Sequence, residues 1–382
     1  MRNKEEKRLQ RIVAYMCATI FALFSFLFVA VYQSPLIEAF YNHVATGKLN
    51  FNGYLWGGIM SVALTLLAVW LNRLVKFRRE WTAMAYLPSA LLLAFMTDID
   101  RSVYTGGKSY LPWIVIFSVG IIVYLAISFV LRRMLYEKIM NLAMSANRII
   151  WRNLILFVFL FCLTGTLSNG EENFKREALA MSRYKSGDTE GALAVGNRSL
   201  DASRELSAIR AYILAEKGMM GERLFEYPQY YGADGLLPYE MQTSPLVPDS
   251  VFALLGGRPK DGERGVEFFK RMLDAAPDNK AALDCYLSAL LLEKQVIGFE
   301  EELQRLCTGY NPDSLPKHYR EALVVLSEFS NDYKLTLKSD TLFTQFGKLR
   351  EIERKYDDAL VRNNYVRKEF GRTYWWYFLY GG

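Results

Sequence analysis

Five long runs of apolar residues in the first 170 positions are the strongest constraint on what this chain folds into. Each run has 17 to 22 residues without Asp, Glu, Lys, Arg or His, and the runs occupy residues 12–32, 54–72, 81–97, 110–131 and 153–169. A helix rising about 1.5 Å per residue crosses the hydrocarbon core of a bilayer with about 17 to 25 residues. The sequence therefore predicts a lipid bilayer as partner and five transmembrane helices, in a membrane domain of residues 1–169.

The third and fifth runs are the shortest of the five, and the third contains Pro88. A membrane helix tolerates a proline where neighbouring groups satisfy the freed carbonyl. A buried helix of a water-soluble domain is the alternative for both runs. The first run is too long for the apolar core of a cleaved signal peptide, and no small-x-small site follows it, so we interpret it as a signal anchor.

Basic residues alternate along the connections between these runs. Fourteen Lys and Arg lie in the N-terminal tail and in the second and fourth connections, whereas the first and third connections contain only Lys48, Arg101 and Lys108. Short cytoplasmic loops are enriched in Lys and Arg. The alternation predicts a protein of the inner (cytoplasmic) membrane with a cytoplasmic N-terminus. After five crossings, the C-terminal domain is expected in the periplasm.

Residues 170–382 form a domain of different charge, with 29 Lys and Arg against 33 Asp and Glu, or about −4. The basic pI of the chain, about 8.9, therefore arises from the membrane domain, where basic residues favour anionic lipid headgroups. The soluble part has no basic stripe with interleaved aromatic residues. Nucleic acid is not expected as a partner.

The apolar residues of this second domain recur at the three- and four-residue spacing typical of α-helices. The pattern predicts a helix over residues 263–276 that ends at Pro277, a helix over AALDCYLSALLLEK, and a return helix after a break at Gly298. Pro277 and Pro312 are 35 residues apart, so these helical hairpins resemble the tetratricopeptide repeat. The predicted fold class is all-α throughout, with stacked hairpins in the second domain and an irregular helical bundle as the alternative.

Scattered positions in the second half of the chain, together with an aromatic C-terminal end, form a second pattern. They are Asp278, Asn279, Ala282, Tyr286, Leu287, Leu291, Leu292, Phe299, Leu315, Pro316, His318, Tyr319, Glu321, Ala322, Leu323 and Tyr374–Tyr377. The pattern resembles a family of uncharacterised membrane proteins from Bacteroidota, in which a multi-span front precedes a repeat-like tail. The resemblance implies an envelope location and supplies no activity.

Signatures of catalysis are scarce in the sequence. Only His43 and His318 are present, and we find no Gly-x-Ser-x-Gly, His-Glu-x-x-His, Cys-x-x-Cys or phosphate-binding glycine loop. The sequence therefore predicts neither a metal nor a cofactor. The apolar runs lack the ionisable residues that proton relays and transport of charged substrates use.

Acidic residues beside the predicted spans are the candidates for catalysis. Asp98 and Asp100 follow the third run, with Arg101 beside them, and Glu38 follows the first run. Membrane glycosyltransferases acting on lipid-linked sugars place such residues in loops to bind a metal or to act as base. An enzyme of envelope lipid or glycan assembly is therefore the alternative function. Solvation at the membrane surface, with a local Asp–Arg pair, is the simpler explanation of the same residues.

The segment 225–250 interrupts the helical pattern with four prolines and four tyrosines. This composition predicts an irregular loop. Tyrosine offers rigid amphipathic contact area, so Tyr230, Tyr231 and Tyr239 are the candidate binding residues. A loop that only packs across the helices is the alternative.

Two further features concern the second domain. Cys285 and Cys307 lie on consecutive predicted helices, so a disulfide is chemically feasible outside the cytoplasm, with two buried thiols as the alternative. The C-terminal end, Tyr374–Tyr380, has seven consecutive aromatic or apolar residues, which should not remain in water. We expect it to pack on the last hairpin, with contact to the membrane surface or to a sugar as alternatives.

The sequence as a whole predicts a membrane-anchored envelope protein. Its helical domain is expected to bind another protein or a peptide, because helical repeats present a shared concave surface to extended partners.

Overall fold

A computed structural model describes residues 2–44, 51–75, 77–102, 109–138, 146–197, 202–238, 248–307, 309, 311–329 and 340–381. Every regular element within these ranges is a helix, and none of the described residues belongs to a β-strand. The predicted all-α class is therefore confirmed. The chain divides into two compact units, Met1–Ala178 and Leu179–Gly382.

The first unit is built from long apolar helices. Its elements are α1 (Arg2–Leu27), a π-helix (Phe28–Tyr32), α2 (Ser34–Val44), α3 (Gly53–Val75), a 3-10 helix (Arg79–Tyr86), α4 (Leu87–Thr97), α5 (Leu111–Lys138) and α6 (Ala146–Leu167). Four stretches among the described residues are long and apolar enough to cross a membrane: Arg8–Tyr32, Gly53–Val75, Leu111–Val130 and Ala146–Leu167. They coincide with four of the five predicted spans.

The remaining predicted span, 81–97, is not one continuous α-helix. It begins as a 3-10 helix that contains a non-helical residue, Trp81, and the α-helix proper starts at Leu87 with Pro88 in its first turn. Proline has no N–H to donate to the carbonyl four residues earlier, so the α-helical hydrogen bonding cannot extend backwards through it. Most of this segment is buried by the other helices of the unit, and Ala83, Ala85 and Leu93 have no exposed surface.

The helices of the first unit alternate in direction. The α3 helix runs antiparallel to α1, because Gly57 lies against Ala30 and the Ser61 hydroxyl donates to the Ala22 carbonyl at 2.7 Å. The α5 helix runs antiparallel to α4, with the rings of Phe95 and Trp113 5.3 Å apart and Gly120 against Leu91.

The α6 helix runs parallel to the 79–97 segment along its length. Asn153 donates to the Arg79 carbonyl and accepts from the Ala83 N–H, both at 2.8 Å. At the other end, the amide of Asn169 donates to the carbonyl of Ile99. The Asn153 amide thus satisfies backbone groups that the irregular start of the segment leaves without α-helical partners.

The second unit consists of shorter helices, joined by tight turns. They are α7 (Glu172–Lys185, which begins in the first unit), α8 (Thr189–Ala194), α9 (Arg204–Glu216), α10 (Met220–Arg223), α11 (Pro248–Leu255), α12 (Gly265–Ala275), α13 (Lys280–Leu292), α14 (Val296–Leu306), α15 (Lys317–Phe329), α16 (Asp340–Lys355), α17 (Ala359–Phe370) and α18 (Tyr374–Tyr380). Consecutive pairs pack on one another, including α12 with α13 and α13 with α14.

The turn between α12 and α13 lies where the sequence predicts it. The α12 helix ends at Ala275, and Asn279 caps α13 by accepting from the Ala282 N–H at 3.1 Å. The next predicted break is wrong. Gly298 lies inside α14, and the chain instead turns at Lys294, whose φ of 58° is left-handed. A glycine in a helix weakens it by only about 1 kcal/mol relative to alanine, so tertiary packing overrides it.

One apolar core fills the second unit and includes the aromatic C-terminal helix α18. Tyr374 and Trp375 have no exposed surface. The Trp375 indole N–H donates to the Glu321 carbonyl at 2.8 Å, and the Tyr374 N–H donates to the Glu321 carboxylate at 2.7 Å. Packing against the helices of its own domain, the first of the three destinations considered for this segment, is the one observed.

Candidate binding groove

The irregular segment after α10 forms one wall of a surface groove. Two short 3-10 helices, Leu224–Glu226 and Gly232–Leu236, flank an extended stretch. Pro228 lies in this stretch, and Gly232 adopts a φ of 55° that L side chains rarely take. This local geometry turns Tyr230 outward, where 53% of its surface is exposed.

The C-terminal helix α18 forms the opposite wall. The ring of Tyr377 packs on that of Phe225, with centroids 5.0 Å apart, and its hydroxyl donates to the Leu292 carbonyl at 2.6 Å. The rings of Trp376 and Tyr380 stack on each other at 4.9 Å. The two walls are therefore fixed to the same core, and the groove between them is a formed feature of the fold.

The groove has two adjoining parts, of about 310 and 510 Å³. Both parts are lined by Gln229, Tyr230, Arg367, Trp376, Tyr377 and Gly381. Volumes of this order suit a few peptide side chains or a small ligand.

Basic side chains lie along the rim of the groove. Lys294, Arg367, Lys368 and Arg372 line it and are exposed. The Lys294 ammonium lies 5.7 Å from the centre of the Tyr377 ring. Among the described residues, no ion-pair partner is found for Arg367, Lys368 or Arg372. The rim therefore offers cationic groups whose charge is not used within the domain.

Two tyrosines of the groove, Tyr377 and Tyr380, are neutral hydrogen-bonding groups. Burial raises the pKa of Tyr377 to about 12, and nearby Glu293 acts in the same direction. Burial also raises the pKa of Tyr380 to about 12, with a further contribution from its 2.6 Å hydrogen bond to Glu353. Neither phenol ionises near neutral pH, so the positive charge of the rim is not offset by phenolate.

The three tyrosines proposed from the sequence have different positions. Tyr230 lines the groove. Tyr231 does not line either part of it, and its hydroxyl donates to the Ala202 carbonyl at 3.1 Å, which indicates a role in holding the segment. Tyr239 lies outside the described residues.

The acidic candidates belong to the first unit and are engaged in local structure. The Asp98 carboxylate accepts from the Trp113 indole N–H at 2.7 Å, and Asp100 accepts from the Ser102 N–H at 2.9 Å. Glu38 lies in α2 and is half-buried. No group of three or more His, Cys, Asp or Glu that could hold a metal occurs in the described part of the chain.

Arg101 does not pair with Asp98 or Asp100 in the contacts observed. Its guanidinium instead binds Glu171 at 2.8 Å and Glu177 at 2.6 Å. The predicted local Asp–Arg pair is therefore not formed. Arg101, just after the 79–97 segment, instead pairs with glutamates at the start of α7. Burial acts to lower the pKa of Arg101, but the hydrogen bonds that its guanidinium donates to Glu177 and Glu171 outweigh burial and raise that pKa.

The two cysteines of the second unit are free thiols in this structure. Cys285 is buried in α13 and Cys307 is half-buried at the end of α14. Burial raises the pKa of both thiols, with a smaller contribution from Asp284. Few thiolate anions form near neutral pH, so both are poor nucleophiles.

Sequence reasoning missed most of the groove. The sequence predicts that the C-terminal aromatic residues pack on the last hairpin, and it does not indicate that Trp376 and Tyr377 also form the wall of a groove. A usable signal was present in the run of basic residues around the end of α17, with Arg367, Lys368 and Arg372 within six positions of one another. Their convergence with Tyr230 depends on packing between segments about 140 residues apart, which spacing does not show.

The fold and the groove define an all-helical protein with a set of long apolar helices in one unit and an aromatic, basic-rimmed groove in the other. A family model of unknown function, DUF6057, matches residues 6–254 and 263–381. The chain therefore belongs to this family. No curated protein matches the chain, and no solved structure does.

Proposed function

We propose that this chain is an inner-membrane protein that crosses the bilayer five times and carries its second unit on the periplasmic side. Four long apolar helices support the proposal. Their surfaces carry large exposed apolar side chains, including Leu23, Leu66, Ile122 and Ile155, each more than half exposed. Apolar surface on this scale needs a cover, and lipid provides one.

The proposal requires one crossing beyond these four helices, and the 79–97 segment, the third along the chain, provides it. A 3-10 helix rises about 2.0 Å per residue and an α-helix about 1.5 Å. The eight and eleven residues of its two parts therefore reach about 32 Å, which matches the hydrocarbon thickness of about 30 Å. The segment also runs parallel to α6, with hydrogen bonds to Asn153 near one end and to Asn169 near the other, which supports a crossing in the same direction as α6.

The orientation rests on the charge of the connections. With five alternating crossings, the 14 basic residues of the tail and of the second and fourth connections lie on one side. Basic short loops remain in the cytoplasm, which leaves the second unit outside it. An envelope location is also what the resemblance to the Bacteroidota membrane proteins implies.

We further propose that the second unit binds a protein or peptide in the groove between residues 225–232 and α18. The observation that carries this proposal is the exposure of Tyr230 beside Trp376 and Tyr377 in a formed groove. Tyrosine and tryptophan supply large contact areas at low entropic cost, and they are enriched at the centres of interfaces. The helical hairpins around it are proposed to be degenerate tetratricopeptide-like repeats.

Site-specific photocrosslinking tests this function. A photoreactive phenylalanine analogue replaces Tyr230 in the full chain, and cells are irradiated before the membranes are isolated. We expect a discrete protein adduct from position 230. The matched control places the analogue at Leu360, which is 76% exposed in α17 and does not line the groove. Equal adducts from both positions, or none from position 230, would contradict the proposal.

A further inference from the structure

We propose that the groove selects an acidic peptide segment, one whose Asp or Glu side chains reach the basic rim. This inference rests on the proposed function and specifies the chemistry of its ligand. The groove thus combines aromatic walls for apolar contact with a row of cations for recognition of carboxylates.

Charge complementarity carries the inference. The domain that contains the groove is acidic, at about −4 over residues 170–382, yet Lys294, Arg367, Lys368 and Arg372 gather at the groove. The C-terminal end of α17 favours cations at Arg367 and Lys368, because the helix dipole is negative there. Arg372 lies beyond that helix and Lys294 belongs to another turn, so the helix end does not account for all four.

The acidic residues that line the groove neutralise this charge only in part. Glu226 is paired with Arg223 at 3.2 Å. Glu293 accepts from the Ala233 N–H at 3.0 Å and lies 3.6 Å from Arg264. Glu369 is exposed and is the one acidic side chain of the lining that points to no partner within the described residues. Arginine forks match carboxylates in bidentate geometry, so a ligand with several carboxylates fits the rim.

A peptide suits the groove better than a sugar. Sugar stacking uses open aromatic faces, and three rings of the groove each have one face already engaged: Trp376 and Tyr380 stack on each other, and Lys294 lies over Tyr377. Gln229 and Gly381 also line the groove. The Gln229 amide donates to the Leu224 carbonyl at 3.0 Å and the Gly381 N–H donates to carbonyls of α18, so the Gln229 amide oxygen and the Gly381 carbonyl are the acceptors offered to an extended peptide backbone. An acidic peptide thus uses the aromatic, polar and cationic groups together.

Selection from a peptide library tests the inference on the full chain in detergent micelles. A phage-displayed library of random 12-residue peptides is panned against the wild type and against the double variant Arg367→Glu with Arg372→Glu. We expect Asp and Glu to be enriched in peptides selected by the wild type, and this enrichment to be lost with the double variant. Selected peptides should bind at least ten-fold more weakly when each Asp and Glu is replaced by Asn and Gln.

A matched control separates the groove from net charge. The double variant Lys280→Glu with Lys348→Glu makes the same charge change at two exposed positions that do not line the groove. It should select the same acidic peptides as the wild type. Glu369→Gln should tighten binding of these peptides by a few-fold. Higher salt should weaken binding, because the Debye length, beyond which exposed charges are largely screened, is about 10 Å at 0.1 M ionic strength and shortens as salt is added.

The outcomes distinguish the two proposals. Selection of neutral peptides that bind the wild type and the groove variant equally would overturn the acidic preference and leave peptide binding intact. Failure to select any peptide, together with binding of an anionic oligosaccharide such as oligogalacturonate, would overturn the peptide and favour a sugar ligand. Failure to select any peptide, with no adduct at position 230, would overturn both proposals.

Discussion

Asp284 illustrates how burial changes the chemistry of a single residue in this protein. It lies in the first half of α13 and is partly buried, and Tyr319 and Cys285 are among its neighbours. Desolvation raises its pKa from 3.8 to about 6, although hydrogen bonding with Tyr319 and the charge of Lys280 act in the opposite direction. The folded protein therefore holds the Asp284 proton more tightly than the unfolded chain does.

This shift predicts a pH-dependent loss of stability. Because the pKa of Asp284 is higher in the folded state, its contribution to stability decreases as pH rises from about 4 through about 6. Asp284→Asn removes the charged form. We expect the variant to match the wild type at pH 4 and to exceed it by about 2–3 kcal/mol, or roughly five to ten degrees in Tm, at pH 8. Thermal unfolding of both proteins at the two pH values measures the difference, and equal Tm values at pH 8 would contradict the prediction.

At the scale of the element, α18 has two roles that fall on different residues of one short helix. Tyr374 and Trp375 are buried and bind Glu321 through their N–H groups, whereas Trp376 and Tyr377 line the groove. The helix begins at Thr373, whose hydroxyl caps it by accepting from the Trp376 N–H. The core residues therefore position the groove residues.

Truncation of one core side chain in α18 should destabilise the protein strongly. Trp375→Ala removes a fully buried ring and leaves the Glu321 carbonyl without its indole donor. Such a change costs about 3–5 kcal/mol, so Tm should fall by roughly ten degrees or more. Leu360→Ala in the adjacent α17 is the control, because Leu360 is 76% exposed and should change Tm little. A small effect of Trp375→Ala would mean that α18 does not belong to the core.

At the scale of the whole molecule, the 79–97 segment decides the topology. Alone among the five predicted spans, it is divided between a 3-10 helix and an 11-residue α-helix. If it crosses the membrane, the crossings number five and the second unit is periplasmic. If it does not, everything after it has the opposite orientation.

Alkaline phosphatase inserted into the full-length chain separates these cases, since the enzyme is active only outside the cytoplasm. We expect low activity for insertion after Arg78 and high activity after Ser109 and after Gly382, because basic connections stay inside. Insertion in the full chain keeps the neighbouring helices that bury the segment. Low activity at both Arg78 and Ser109 would show that residues 81–97 do not cross.

Much of this architecture follows from local sequence. Four of the five apolar runs lie in long helices, as their length and lack of charge predict. The cap at Asn279 and the helix end before Pro277 are likewise encoded in residues next to the turn. The wrong break at Gly298 shows the limit of local rules, because a glycine penalty is smaller than the packing of a whole helix.

The sequence by itself determined the all-α class, the apolar helices and the alternation of basic connections, since these depend on periodicity and charge within single segments. Only the tertiary structure decided that Tyr230 lines one groove with Arg367 and Trp376, that Tyr231 instead holds the backbone at Ala202, and that Arg101 binds Glu177. The physical reason is the same in each case. These side chains meet through burial of apolar surface between distant segments, and that free energy belongs to the packed core and not to any one stretch of sequence.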